Sequence, residues 1–198
     1  KMFDGNIGYI AIRNFNETAP QLFYEASKEL LDKGLNGIII DLRDDPGGYL
    51  EVAVDIAGWF MNKGATVAIQ EFRAVDKKIF RAYGNGLYKT IPIVVLINGG
   101  SASASEILAG ALRDNLGSKL VGEKTFGKGT VQELKTLKDG SQIKLTIAHW
   151  LTPKGALIDK EGIKPDYEVK LSDEDIKKGD DPQLDKAKKV MDELVKKV

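Results

Sequence analysis

Apolar positions along this chain switch between a period of two and a helical period, and that alternation predicts an α/β domain: a mixed sheet with flanking helices. Ile7 to Ile12 is a short β-rich apolar run and reads as a strand. Thr18-Ala-Pro-Gln21 has capping-box spacing with a proline in the first turn. Leu22, Phe23, Ala26, Leu30 and Leu31 follow at helical spacing until Gly34 supplies a stop. Gly37 to Leu42 is a continuous apolar run of buried-strand length, ended by the turn Arg43-Asp-Asp-Pro-Gly-Gly48. A second helix carries Leu50, Ala53, Ile56, Ala57 and Phe60 on one face and closes at Gly64.

Thr66 to Ile69 and Ile79 to Ala82 read as strands, as does Ile91 to Ile97, which runs into Asn98-Gly-Gly-Ser101 and an Ala-rich helix over about Ser103–Asn115. Lys119 to Val121 is a short strand before the loop Gly122–Gly129. Thr130–Leu137 and Gln142–Trp150 form a hairpin around Asp139-Gly140, with Ile143, Leu145 and Ile147 on one face. Ser172 to Asp181 is polar and linker-like. Pro182 to Val198 sets Leu184, Ala187, Met191, Leu194 and Val198 along one helical stripe, expected to dock on the parent domain rather than to form a dimer seam.

Composition narrows the chemistry. A chain of 198 residues buries enough apolar surface to need neither disulfides nor a metal for stability. Its 29 basic residues cancel its 29 acidic ones, which argues against nucleic acid and against a polybasic membrane patch. With no Cys there is no disulfide, Cys-based zinc site or thiol nucleophile. The single His, His149, excludes zinc sites built from several His, and any Ser-His-Asp triad would have to use it. No metal and no cofactor is expected. There is no apolar run near 18 residues and no basic-then-apolar start, so neither a membrane span nor a signal peptide is visible.

Two glycine-rich segments follow buried-type strands, where open α/β sheets gather functional groups. In Asn98-Gly-Gly-Ser-Ala-Ser-Ala-Ser-Glu106 a helix start aims unpaired N–H groups at an anion or a developing oxyanion. The plainer reading of Ser103-Ala-Ser-Glu106 is a capping box, and three neighbouring serines leave the nucleophile open. Gly122-Glu-Lys-Thr-Phe-Gly-Lys-Gly129 nearly matches a phosphate-binding P-loop. Gly129 stands where a Ser or Thr must hold magnesium, and β-type sequence follows where a helix is needed. Its glycines better suit a bend that presents Lys128. Ser141-Gln-Ile-Lys144 matches a Ser-x-x-Lys pattern, but on a strand the two side chains would face opposite ways. His149, at a strand end beside Trp150, reads first as a packed residue. Without a His partner, a serine nucleophile needs another base, and a lysine made neutral by burial can serve.

Asp41-Leu-Arg-Asp-Asp-Pro-Gly-Gly48, Gly100-Ser-Ala-Ser-Ala-Ser-Glu106 and Gly122-Glu-Lys-Thr-Phe-Gly-Lys-Gly-Thr-Val-Gln132, in that order, resemble the carboxyl-terminal processing (tail-specific) proteases. The likeness runs from about Gly5 to Val169 and takes in Leu151-Thr-Pro-Lys-Gly155 and Gly162-Ile-Lys-Pro-Asp166. It implies a ClpP/crotonase-like core and a serine endopeptidase acting by an acyl-enzyme mechanism on unfolded or flexible protein C-terminal tails. By the same resemblance Ser103 is the nucleophile, Lys128 the general base and Gln132 the residue that orients the lysine. The oxyanion hole falls to the N–H groups of Ala104 and Gly48, with Gly47 the competing donor. Phe126 and Val131 are the apolar neighbours expected to desolvate the lysine. The family is extracytoplasmic (periplasmic, cell-envelope or secreted), and a homo-oligomer is an open possibility. Its members carry a PDZ module ahead of the matched region, and none fits before Gly5. The whole of 1–198 is therefore expected to be a catalytic core, with 172–181 linker-like and 182–198 a terminal helix. The competing expectation is a non-catalytic or latent peptide-binding core of the same fold.

Overall fold

The computed structural model describes residues 1–73 and 76–197, and its strands sort into two sheets. The larger is built from β1 (Met2–Phe3), β2 (Ile7–Ala11), β3 (Gly37–Asp41), β6 (Ile93–Ile97), β7 (Lys119–Gly122) and β10 (Tyr167–Glu168), side by side in that order. β1 is antiparallel to β2, and every other pairing in this sheet is parallel. The smaller, antiparallel sheet has the order β5 (Lys78–Arg81), β4 (Thr66–Phe72), β9 (Gln142–Leu151), β8 (Thr130–Thr136).

Alternation along the central strands explains their unbroken apolar sequence. Ile38, Ile40, Val95, Ile97 and Leu120 point to one face. They pack there with residues of α1 (Ala19–Leu31), α2 (Leu50–Ala57) and α3 (Ala104–Leu116). Ile39, Val94, Leu96 and Val121 point to the other face, onto Ala187, Val190 and Met191 of α5 (Pro182–Val195). Strands buried on both sides need apolar residues at every position. The terminal helix therefore docks on the sheet as its stripe predicts; Leu184 and Leu194 flank the contact, and Val198 lies outside the described residues.

Several local expectations change. Thr18 does not cap α1; Asn16 Oδ1 accepts the N–H groups of Thr18 and Ala19 and also the Thr18 hydroxyl, which is thereby drawn away from the helix. α2 stops at Ala57, and Phe60 is buried in the turns that follow. β6 starts at Ile93 rather than Ile91. The linker-like stretch holds a short helix, α4 (Asp173–Lys178), capped by Ser172, and its last residue, Asp181, caps α5 through Leu184 N–H. The hairpin forms as expected, and on the face that carries Ile143, Leu145 and Ile147 the first two are exposed. Among the described residues, β9 pairs with β4 over Ala148–Leu151 and the rest of the hairpin has only its own two strands.

Candidate active site

Parallel strands β3, β6 and β7 end on one side of the large sheet, and their three following loops are laced together by hydrogen bonds. Ser101 Oγ, after β6, donates to Leu42 O at 2.8 Å. Ala102 N–H and Ser105 Oγ both donate to Asp45 O, each at 3.0 Å. Asn98 accepts from Asp44 N–H and returns a bond to its carboxylate. Phe126 N–H, after β7, donates to Ser101 O at 3.0 Å.

Ser103 stands immediately before α3, half-buried, with φ 55° and ψ −115°. That conformation is ordinarily a glycine's and costs of order 1–3 kcal/mol in any other residue, so its surroundings must hold it. The Ser103 N–H donates to Glu106 Oε2 at 2.9 Å. Gly47 closes on it from the other side: a Cβ on Gly47 would lie 2.6 Å from Ala102 O, 2.8 Å from Ser103 Cβ and 2.9 Å from Ala104 N. Only glycine permits that approach.

The backbone donors around Ser103 differ in their partners. Gly47 N–H is bonded to Asp45 Oδ1 at 2.8 Å. Among the described residues, the N–H groups of Gly48 and Ala104 meet no acceptor. Gly48 is held against Phe15, where a Cβ would sit 2.3 Å from Phe15 O.

Glu106 is completely buried, and the capping-box reading understates it. Besides Ser103 N–H it accepts from Thr125 Oγ1 (2.5 Å), Gly127 N–H (2.8 Å) and Lys128 N–H (2.9 Å). One carboxylate thus fixes the backbone of Ser103 relative to the backbone of Lys128. The glycine-rich loop turns its N–H groups to this side chain, and β8 follows it, so its geometry is not a phosphate cradle. Thr125, which also accepts from Ile163 N–H at 2.7 Å, had no sequence signal beyond its place in the loop.

The remaining predicted site residues lie outward. Lys128 and Gln132 are exposed, and no hydrogen bond joins Lys128 to Ser103 or Gln132 among the described residues. Phe126 is 66% exposed and does not enclose the amine; Val131 is half-buried against the core. A register shift falls between Val131 and Gln132, one strand position from the lysine's loop. His149 sits 3.5 Å from Asp159 and lines an open cleft with Glu71, Lys77 and Thr146, residues outside the three motifs. Among the described residues there is no cluster able to hold a metal ion, and no helix long and apolar enough to cross a membrane.

Beneath the site, Arg43 bonds both Asp41 oxygens (3.0 and 2.8 Å) and both Asp181 oxygens (2.9 Å each). Burial alone would raise the Asp41 carboxyl, but hydrogen bonds from Arg43 and Tyr9 outweigh it and hold it below the usual carboxylate range. Asp181 is held down in the same way by Arg43 against its own burial.

A model of "Peptidase family S41" matches residues 6–169. The carboxy-terminal processing protease CtpA of Bacillus subtilis (strain 168) is 44% identical over 173 residues, covering 87% of this chain and 37% of that protein. The chloroplastic C-terminal processing peptidase of Tetradesmus obliquus is 37% identical over 163 residues, covering 82% of the chain and 35% of that protein. The solved structure of a photosystem II D1 C-terminal processing protease superposes with a TM-score of 0.78 at 35% identity, over 85% of the chain and 45% of that structure. The chain thus spans little more than a third of the length of the curated relatives it matches.

Proposed function

The chain belongs to peptidase family S41, and from that membership we propose that it is the catalytic core of a serine endopeptidase that cleaves flexible proteins near their C-termini. Ser103 is the nucleophile, Lys128 the general base, Gln132 the group that orients the lysine, and the N–H groups of Gly48 and Ala104 the oxyanion hole. The observation that carries this is the strained Ser103 at the head of α3, near two backbone donors that lack acceptors among the described residues. Donors of that kind, fixed before the reaction, stabilise the charge that develops on the substrate oxygen. The bond that Gly47 N–H donates to Asp45 Oδ1 favours Gly48 over Gly47 as the second donor.

In this mechanism Ser103 Oγ attacks the scissile carbonyl carbon while Lys128 Nζ takes the hydroxyl proton. The tetrahedral oxyanion collapses, the C–N bond breaks, and Lys128 returns the proton to the leaving amine. Water, deprotonated in turn by Lys128, then hydrolyses the Ser103 ester. An amine in water is protonated near neutral pH, so the bound peptide must cover Lys128 and exclude solvent from it. Flexible C-terminal tails are the substrates and the site of action lies outside the cytoplasm, a reading supported by the processing proteases among the relatives.

The exposed Lys128 favours one alternative, a latent core that binds peptides without turning them over. Incubation with an unstructured protein, read by intact mass, separates the two. Wild type should shorten the substrate from its C-terminal end, and Ser103→Ala should lose at least 1,000-fold in rate. Lys128→Ala should be similarly impaired, and Lys128→Arg should fail too because a guanidinium stays charged. His149→Ala should cleave normally. Undiminished cleavage by Ser103→Ala would reject the assignment.

A further inference from the structure

Asp45 is completely buried in the turn that carries Gly47 and Gly48, and the mechanism above gives it no role. Its Oδ1 accepts Gly47 N–H, and its carbonyl accepts Ala102 N–H and the Ser105 hydroxyl. One residue thus ties the glycine turn to both sides of Ser103. Its other carboxyl oxygen, Oδ2, is buried with no hydrogen-bond partner among the described residues. Oδ1 lies 2.8 Å from Gly47 N, and a Cβ built on Gly47 would lie 2.9 Å from Ala104 N, so the carboxyl lies within about 9 Å of that nitrogen.

We propose that Asp45 is a positioning residue, one that withholds Gly47 N–H so that Gly48 N–H faces the substrate oxygen, and that its negative charge opposes the oxyanion and slows acylation. The inference rests on the assignment of Ser103 as nucleophile. An acceptor at Oδ1 is present whether the carboxyl is charged or neutral, so the positioning survives protonation while the adverse charge does not. Burial pushes the Asp45 carboxyl up to about 6, against the opposing pull of Gly47 N–H, the Ser105 hydroxyl of α3 and the Arg13 charge beyond β2. The Arg43 guanidinium, from Asp45's own turn, is engaged by Asp41 and Asp181 instead. The group therefore changes charge within a working pH range, and an enzyme of this design runs faster per neutral base when Asp45 is protonated.

A peptidyl fluorophosphonate, whose peptide part covers Lys128, followed by intact mass between pH 5 and pH 8.5, reads the nucleophile without requiring delivery of a protein substrate. Asp45→Asn keeps the Oδ1 acceptor and removes the charge. The ratio of the wild-type labelling rate to that of Asp45→Asn should fall from about one at pH 5 to about one tenth at pH 8, with its midpoint near 6. Asp45→Ala, which lacks the acceptor, should label at least tenfold more slowly than Asp45→Asn at every pH. If it does not fold, the ratio of wild type to Asp45→Asn decides alone. A flat ratio, or an Asp45→Asn protein labelled more slowly than wild type above pH 7, would overturn the proposal. Absence of labelling in wild type, or equal labelling of Ser103→Ala, would instead overturn the nucleophile assignment on which it rests.

Discussion

Glu106 shows how far a single side chain reaches in this site. Its four accepted bonds come from Ser103 and from a loop 19 to 22 positions downstream. Glu106→Gln would turn an NH2 group toward N–H donors, leaving buried donors unmatched at roughly 1–3 kcal/mol each. The expected result is a loss of about 2–4 kcal/mol in urea unfolding together with a kcat reduced more than tenfold; an unchanged midpoint would show that the loop does not depend on it. Ser-x-x-Glu spacing made the bond to Ser103 legible, but three of the four donors come from a loop that only the fold brings near. Asp45 was readable merely as part of a turn, because burial and an unpartnered oxygen are tertiary properties. The carboxyl is raised from 3.8 to about 6 in the folded chain, which therefore holds its proton better than the unfolded one. Its stabilising contribution is complete below pH 4 and is lost as the pH rises through 6. The stability of wild type relative to Asp45→Asn should fall by about 2–3 kcal/mol between pH 4 and pH 7 in denaturant titrations.

Strands β3 and β6 were legible because burial on both faces leaves an unbroken apolar sequence, and the helices because their stripes face a sheet. The β8–β9 hairpin was legible in register but not in environment. A period of two marks a face without saying that anything covers it, and beyond Ala148 nothing of β4 does. At the turn before α2, Pro46-Gly47-Gly48 announced a bend, while the reason for Gly47 lies in the approach of Ala102 and Ser103 from another loop. Its φ of 96° adds strain for any side chain. Gly47→Ala should therefore keep the far-ultraviolet circular dichroism of wild type, lower its stability by about 1–3 kcal/mol and reduce kcat more than tenfold by displacing Ser103. Wild-type kcat in that variant would mean the close approach has no part in the chemistry.

Across the whole molecule, Arg43 joins the end of β3 to the head of α5, 138 positions apart. That pairing was invisible in the sequence, where Asp181 belonged to a linker-like stretch. Because Asp41 and Asp181 are held below their ordinary values, their contribution is present above about pH 4 and lost as the pH falls through the lowered values. Asp181→Ala should cost about 2 kcal/mol at pH 7 and progressively less as the pH falls through the lowered Asp181 value, since charge-assisted bonds are worth roughly 1.5–3 kcal/mol. The same carboxylates anchor the turn that leads to Gly48, so the helix on the far face of the sheet supports the proposed oxyanion side of the site. In the proposed mechanism an outward Lys128 comes to Ser103 when a peptide covers it. In a crystal structure of the protein with a peptide boronate, boron should be bonded to Ser103 Oγ, a boronate oxygen should lie between the Gly48 and Ala104 N–H groups, and Lys128 Nζ should lie within about 2.6–3.2 Å of Ser103 Oγ. Boron on another residue, or a bonded Ser103 with Lys128 still in solvent, would contradict that mechanism.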